Sequence, residues 1–101
     1  MDKLAVLVLL NAKPGKEKEV EQFLKSAQPL ALREPGTSTW YAVKLGPGRF
    51  GIFDTFQDEA GRNAHFNGEI AKALFAKAED LFSTPPQVEK LDILALKAPG
   101  A

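Results

Sequence analysis

The first apolar segment runs without interruption from Leu4 to Leu10 and reads Leu-Ala-Val-Leu-Val-Leu-Leu. It is short for a helix and rich in branched side chains, which favours a strand that is buried on both faces. Pro14-Gly15 ends this pattern, and from Lys16 charged residues surround an apolar stripe with three- and four-residue steps. That spacing is typical of an amphipathic helix, and Pro29 in its last turns is expected to bend or end it. The stripe consists of Val20, Phe23, Leu24, Ala27 and Ala31.

Two segments with a period of two, Thr37 to Leu45 and Arg49 to Phe56, flank the sequence Gly46-Pro47-Gly48. The tight turn between them predicts a β-hairpin. Alternate side chains of a strand point to opposite faces of the sheet, so each strand carries two sets of side chains. In the first strand Trp40, Ala42 and Lys44 share one face and Tyr41, Val43 and Leu45 the other; in the second Phe50, Ile52, Asp54 and Phe56 oppose Gly51, Phe53 and Thr55.

The last part of the chain predicts a second helix and a fourth strand. Asp58 is placed to cap the helix by accepting from its free backbone N–H groups, and Asn67-Gly68 interrupts the helical pattern. Pro85-Pro86 is expected to end the helix, and Val88 to Lys97 has strand character. The helical pattern resumes with Ile70, Ala73, Leu74, Ala78, Leu81 and Phe82, and the strand sets Leu91, Ile93 and Ala95 opposite Asp92, Leu94 and Leu96.

The order strand, helix, strand, strand, helix, strand predicts an α+β, ferredoxin-like βαββαβ fold over residues 1–101, as a single domain. In this fold one four-stranded antiparallel sheet carries both helices on a single face. A sheet face in water should alternate apolar with polar residues, but these strands are apolar on both sides. We therefore expect a second copy of the chain to cover the other face, as a symmetric homodimer.

The composition excludes several function classes. Lys plus Arg is 13 and Asp plus Glu is 13, so the chain has no net charge that would attract nucleic acid or an anionic membrane. With no cysteine there is no disulfide and no thiolate chemistry, and a single histidine makes a metal site unfavoured. No apolar run approaches the roughly 18 residues of a membrane span. The sequence predicts a cytoplasmic protein that contacts neither nucleic acid nor membrane.

The sequence resembles the antibiotic biosynthesis monooxygenase domain over nearly its whole length. The resemblance is carried by Glu34-Pro35-Gly36-Thr37 leading to Trp40, by Arg49 to Ala60 and by Ala64-His65, with Lys13-Pro14-Gly15-Lys16 at the matching place after strand one. It implies a dimeric α+β barrel, in which two ferredoxin-like subunits join through their sheets. It implies less about function, since the family includes cofactor-free oxygenases of anthrones and quinols, haem-degrading enzymes, other small-molecule enzymes and many members of unassigned activity.

Three positions count against the haem-degrading branch. That branch has an asparagine on strand one, a tryptophan on the second helix and a histidine ten residues later, where this chain has Val8, His65 and Phe75. Many oxygenase-like members carry a second histidine five residues beyond the first, and Ile70 stands there. These departures disfavour haem degradation and count against a two-histidine mechanism.

His65 and Asp54 are the candidate catalytic residues. Oxidation of an electron-rich phenol or quinol without a cofactor needs a base to remove a proton, and polar donors to stabilise the oxyanion that develops. His65, whose unperturbed pKa lies near 6.5, is suited to that proton transfer, and Asp54 is a second possible base if it is buried. The alternative for His65 is a structural histidine at a helix margin, hydrogen-bonded to a strand.

Aromatic and polar side chains near the hairpin are the candidate substrate contacts. Trp40 and Tyr41 are neighbours on one strand, so only one of them can point between the sheet and the helices. Arg49, Arg62 and Asn63 are expected to be solvated. The predicted substrate-binding residues are Trp40, Tyr41, Asn11, Phe53 and Phe66.

The sequence thus predicts a cofactor-independent monooxygenase that oxidises a small aromatic, anthrone- or quinol-like molecule with dioxygen, and that binds neither cofactor nor metal. Two alternatives use the same scaffold. One is a non-catalytic protein that binds or senses a small molecule, and the other is an isomerase or lyase in which His65 carries a proton.

Overall fold

Four antiparallel strands form one sheet in the computed structural model, which describes residues 1–100. The strands are β1 (Leu4–Asn11), β2 (Thr39–Gly46), β3 (Arg49–Phe56) and β4 (Gln87–Asp92), and the helices are α1 (Glu17–Leu32), α2 (Glu59–Phe66), α3 (Glu69–Ala76) and α4 (Ala78–Leu81). The spatial order of the strands is β2-β3-β1-β4. This arrangement confirms the predicted α+β, ferredoxin-like class.

The core lies between one face of the sheet and the helices. Val6, Val8 and Leu10 of β1 are buried in it with Val20 and Leu24 of α1. In the second set of β1 side chains, which faces away from the helices, Ala5 is buried but Leu7 and Leu9 are only partly buried. The single chain therefore does not bury β1 fully on both faces, and its sheet has two different faces.

We call the helix-free side of the sheet the open face. Tyr41 of β2 pairs with Phe53 of β3, which in turn pairs with Leu7 of β1, so three large apolar side chains lie side by side. Tyr41 is 56% exposed. The apolar residues of the open face are Leu7, Leu9, Tyr41, Val43, Leu45, Phe53 and Leu91.

Pro29 lies in the last turn of the first helix, and α1 continues past it to Leu32. The predicted position of the proline in the last turns is confirmed, but the helix does not end at Pro29 itself. Ala27 and Ala31, on either side of it, are both buried against Ile70. This packing outweighs the backbone hydrogen bond that proline removes.

The predicted break at Asn67-Gly68 is confirmed, since it separates α2 from α3. The predicted cap is also confirmed: the Asp58 carboxylate accepts from the Gly61 backbone N–H at 2.8 Å. The end of the helical region differs, because the helices stop at Leu81, before Pro85-Pro86. Phe82 already forms a bridge with Ala12 instead, and this pairing takes the chain out of the helix.

The last strand is shorter than predicted, because β4 ends at Asp92 and not at Lys97. Its neighbour β1 begins at Leu4, and the Ile93 N–H already donates to the carbonyl of Lys3 at 2.8 Å. Beyond that point no strand within residues 1–100 lies alongside the chain, and Leu94 is 97% exposed. Among these residues, no helix combines the length and apolar character that crossing a bilayer requires.

Candidate functional site

His65 lies in the last turn of α2, buried between two carboxylates from distant parts of the chain. Its Nδ1 is 2.7 Å from Oε1 of Glu34, which follows α1, and its Nε2 is 2.9 Å from Oδ2 of Asp54 on β3. Asp54 belongs to the helix-facing set of β3, as predicted, and is completely inaccessible to solvent. We call Glu34, Asp54 and His65 the His65 cluster.

The two carboxylates determine the charge of the imidazole. Burial lowers the pKa of His65, but Asp54 and then Glu34 favour the protonated ring more strongly and raise this pKa from 6.5 to about 9. His65 is therefore a cation at neutral pH. The structure brings together the two residues predicted to be catalytic, and it does so as an ion pair.

The two contacts of the ring differ in quality. The contact with Glu34 is a hydrogen bond, whereas the N–H at Nε2 is not aligned well enough with Asp54 to count as one. Within the described residues, both carboxylate oxygens of Asp54 are buried and accept no hydrogen bond. The positive charge of His65 therefore stabilises the Asp54 carboxylate by proximity.

This arrangement changes what His65 offers chemically. A protonated imidazole has two N–H donors and no acceptor; here one donates to Glu34, and the other nitrogen lies 2.9 Å from the Asp54 carboxylate. At neutral pH the group contributes a fixed positive charge in a buried place. The acceptors for a proton in this site are the carboxylate oxygens.

Glu34 is the residue of the His65 cluster that sequence reasoning missed. Its Oε1 accepts from the Thr37 hydroxyl at 2.7 Å as well as from His65. Its Oε2 is buried without a hydrogen-bond donor from residues 1–100, next to Gly68. The Glu-Pro-Gly-Thr sequence signals the turn in which Thr37 reaches back to Glu34, but it does not signal the contact with His65.

A cavity of about 390 Å³ opens beside the His65 cluster. We call it the His65 cavity. Its walls include Glu34, Thr37 and His65, and its size lies within the range of small-molecule sites, roughly 300 to 1,000 Å³. Three glycines, Gly36, Gly61 and Gly68, also line it.

Two of the predicted substrate contacts lie near this site. Trp40 points toward the helices and packs against Ala27, Ala31 and Ile70. It also lines an adjoining cavity of about 310 Å³ that shares Glu34 and Thr37 with the His65 cavity, and its Nε1 has no partner in the described part of the chain. Phe66 places its ring 6.0 Å from the imidazole of His65.

The other three predicted substrate contacts are not brought to the cluster. Asn11 is exposed at the end of β1 and donates to the hydroxyl of Thr84 at 3.2 Å. Tyr41 and Phe53 belong to the open face, on the opposite side of the sheet from His65. The structure thus separates an aromatic set on the open face from an aromatic set around His65.

Arg62 is buried, and the expectation that it is solvated is wrong. Because α2 packs on the sheet, the Nη1 of Arg62 reaches the carbonyls of Ala5 and Leu91 at 3.5 and 3.4 Å. Its Nε is buried and has no acceptor among residues 1–100. Arg49 and Asn63 are exposed, as predicted.

A close backbone contact holds Glu34 against His65. A Cβ added to Gly61 of α2 would lie 2.6 Å from the carbonyl oxygen of Gly36, and one added to Gly36 would lie 2.8 Å from the Cα of Gly61. Real Cβ atoms do not approach backbone so closely. Glycine at both positions therefore allows the loop after α1 to touch α2.

We expect Gly61→Ala to destabilise the fold by about 1 to 3 kcal/mol, the usual cost of overpacking, and to separate Glu34 from His65. The pKa of His65 should fall with the loss of this carboxylate, and NMR titration of the imidazole measures it. Gly46→Ala is the matched control, because a Cβ there meets nothing within 4 Å. Equal stability of the two variants would contradict the role given to this contact.

Among residues 1–100, no group of three or more histidine, cysteine, aspartate or glutamate residues is arranged to hold a metal ion. The His65 cluster is an ion-pair network in which the ring nitrogens face the carboxylates directly.

Solved structures share this architecture. A protein of unknown function from Nitrosomonas europaea is 55% identical, with a TM-score of 0.96 over 100% of this chain and 98% of that one. A second protein from the same organism, described as a "putative antibiotic biosynthesis monooxygenase", is 16% identical, with a TM-score of 0.80 over 91% of this chain and 90% of that one. A Caulobacter crescentus protein with the same description is 22% identical, with a TM-score of 0.76 over 93% and 92%.

No protein-family model matches the sequence, and neither does any of the curated proteins. The two structures at 16% and 22% identity share the fold, and the one at 55% identity shares sequence over its full length. The chain therefore belongs to the same family as the Nitrosomonas europaea protein of unknown function, and its fold is that of the antibiotic biosynthesis monooxygenase domain.

Proposed function

We propose that the protein is a cofactor-independent monooxygenase that oxidises a small aromatic, anthrone- or quinol-like substrate with dioxygen in the His65 cavity. The observation that carries the proposal is the buried His65 cation, held by two carboxylates at the wall of a cavity of about 390 Å³. Charged groups of this kind at a cavity wall are typical of functional sites. The descriptions of the two Nitrosomonas and Caulobacter structures with this fold support the same class.

Glu34 is the residue that would receive the substrate. A buried acceptor without a donor costs about 1 to 3 kcal/mol, and a ligand that donates an O–H to Oε2 of Glu34 would remove that cost. A phenol, an enol or a hydroquinone supplies such a donor on a flat apolar body. The charge next to it, on His65, favours the deprotonated form of the same ligand.

The reaction then needs no group beyond the chain and dioxygen. Glu34 takes a proton from the activated CH₂ of an anthrone-type substrate, and His65 stabilises the resulting anion. The anion passes one electron to dioxygen, and the substrate radical and superoxide combine to form a C–O bond. The peroxide takes up the proton from Glu34. Loss of the second C–H proton with cleavage of the O–O bond leaves a carbonyl and one water.

The test is oxygen consumption by metal-free protein with a panel of anthrones and hydroquinones. We expect uptake, a decrease of about 10²-fold or more in Glu34→Gln, and a loss in His65→Ala, because general-base catalysis contributes about 10² to 10⁴. Glu59→Gln is the matched control, since Glu59 is an exposed carboxylate in the first turn of α2, the helix that carries His65.

Two other results would contradict the oxygenase and favour an alternative function. Binding of the aromatic molecules without oxygen uptake would favour the non-catalytic binding or sensing protein. Turnover under nitrogen would favour the isomerase or lyase, in which the cluster only transfers protons.

The proposal includes a homodimer formed through the open face. Tyr41, Val43 and Leu45 of β2 are all more than 40% exposed on it, and a contiguous apolar surface of this kind is typical of an interaction site. The occupant that the fold favours is a second copy, because the same face of each subunit pairs with itself in a two-fold dimer.

A further inference from the structure

A second, smaller cavity also touches His65. It measures about 20 Å³ and lies between the sheet and α3, walled by Val8, Ile52, Ile70 and other apolar side chains. Within the part of the chain that the structure describes, His65 is the one polar residue in its lining. We call it the apolar cavity.

Size and chemistry both limit what this cavity can hold. A volume of about 20 Å³ exceeds the roughly 10 to 15 Å³ that a cavity needs to hold one water molecule, so a molecule of one or two heavy atoms fits. A buried water needs two to four polar partners. The ring nitrogens of His65 face Glu34 and Asp54, and the rest of the lining is carbon. The apolar cavity therefore favours a small apolar molecule over water.

We propose that the apolar cavity is a binding site for dioxygen, an inference that rests on the oxygenase function proposed above. His65 lines both this cavity and the His65 cavity, so its imidazolium stands between the aromatic substrate and the gas. Superoxide formed there by electron transfer from the substrate anion would be stabilised by this positive charge until it passes the imidazole and combines with the substrate radical in the His65 cavity. Dioxygen would therefore be reduced in a place that holds no water.

One wall of the apolar cavity reaches the surface of the protein. Phe75 of α3 belongs to the wall of the apolar cavity and is 53% exposed at the surface. We expect dioxygen to enter on this side of α3, away from the His65 cavity, whose walls include the loop after α1. Binding of one reactant then does not block the other.

Dioxygen is paramagnetic, so its position can be read directly from the relaxation of nearby methyl groups. For each methyl group, the quantity to measure is the increase in relaxation rate from argon to oxygen. We expect this increase to be several-fold larger at the methyls that line the apolar cavity than at those of Val20 and Leu24, which are buried in the same core but outside the cavity. Equal relaxation in the two groups would overturn the inference. The lining methyls belong to Val6, Val8, Ile52, Ile70, Ala71, Leu74 and Val88.

A variant that fills the space connects the site to turnover. Ala71→Leu places a larger side chain in the lining and should raise the KM for dioxygen several-fold without changing the affinity for the aromatic substrate. Ala73→Leu, on the same helix but outside the lining, is the matched control. An unchanged KM in a folded Ala71→Leu protein would count against the site. If that variant does not fold, the relaxation measurement on the natural protein decides whether dioxygen binds in the apolar cavity.

The relaxation measurement requires no turnover, so the two proposals fail separately. Strong relaxation of the lining methyls in a protein that consumes no oxygen would support the dioxygen site and contradict the oxygenase function. Oxygen consumption without that relaxation would support the oxygenase function and contradict the dioxygen site.

Discussion

His65→Gln is expected to lower the free energy of unfolding by about 3 kcal/mol at pH 7, because it leaves the carboxylate of Asp54 buried without a cation. Asp54 is 0% exposed, and glutamine of similar size cannot carry the charge. The same magnitude follows from the pKa of His65, raised from 6.5 to about 9, at about 1.4 kcal/mol per pH unit.

The effect has a defined dependence on pH. Because the pKa of His65 is higher in the folded than in the unfolded state, the stabilisation is fully present below about pH 6.5 and is lost as the pH rises through about 9. The difference between the natural protein and His65→Gln should therefore shrink by about 3 kcal/mol from pH 6 to pH 10. Urea denaturation across this range measures it.

Lys25→Gln is the control for this comparison. It also removes one positive charge, from an exposed pair with Glu21, and such surface pairs contribute little. An NMR titration adds a direct check, since His65 is the single histidine of the chain. Titration of the imidazole near pH 6.5 would contradict the ion pair on which the cluster depends.

The elements that local pattern defines were predictable from the sequence. β1 is a continuous apolar run, and the hairpin combines a period of two with Pro47-Gly48, where Gly48 has a φ of +70° that suits glycine. The end of β4 could not be predicted in this way. It is decided by where β1 begins, so the alternation from Ile93 to Lys97 continues without a strand beside it.

The site was predictable where its residues are close along the chain. Asp54 ends up beside His65 because α2 follows β3 directly and packs on it. Glu34 lies 31 residues from His65, and its position depends on the contact between Gly36 and Gly61. A contact of that kind needs the packed loop, which no local pattern describes.

The charge of His65 shows why residue type alone did not fix its role. An isolated imidazole near pH 7 is a good base, and for this reason the sequence points to His65. Two carboxylates at 2.7 and 2.9 Å convert it into a cation, and the acceptor in the site becomes a carboxylate. The chemistry proposed here therefore depends on tertiary contacts, although both predicted catalytic residues lie in the cluster.

The double variant Tyr41→Glu, Val43→Glu is expected to convert a dimer into a monomer. Both side chains belong to the open face and are about half exposed in the single chain, so a lone subunit should tolerate the change. In a dimer each loses about 1.5 to 3 kcal/mol of apolar burial, and a buried carboxylate without a partner costs more. We expect the dissociation constant to rise by at least about 10³-fold. Sedimentation at micromolar concentrations measures it.

Leu32→Glu separates this effect from a general loss of apolar surface. Leu32 is 78% exposed, but it lies at the end of α1, on the helical side of the sheet. This control should therefore remain dimeric, since the same substitution there leaves the open face intact. A natural protein that sediments as a monomer at micromolar concentration would contradict the dimer, because seven apolar side chains would then stay in contact with water.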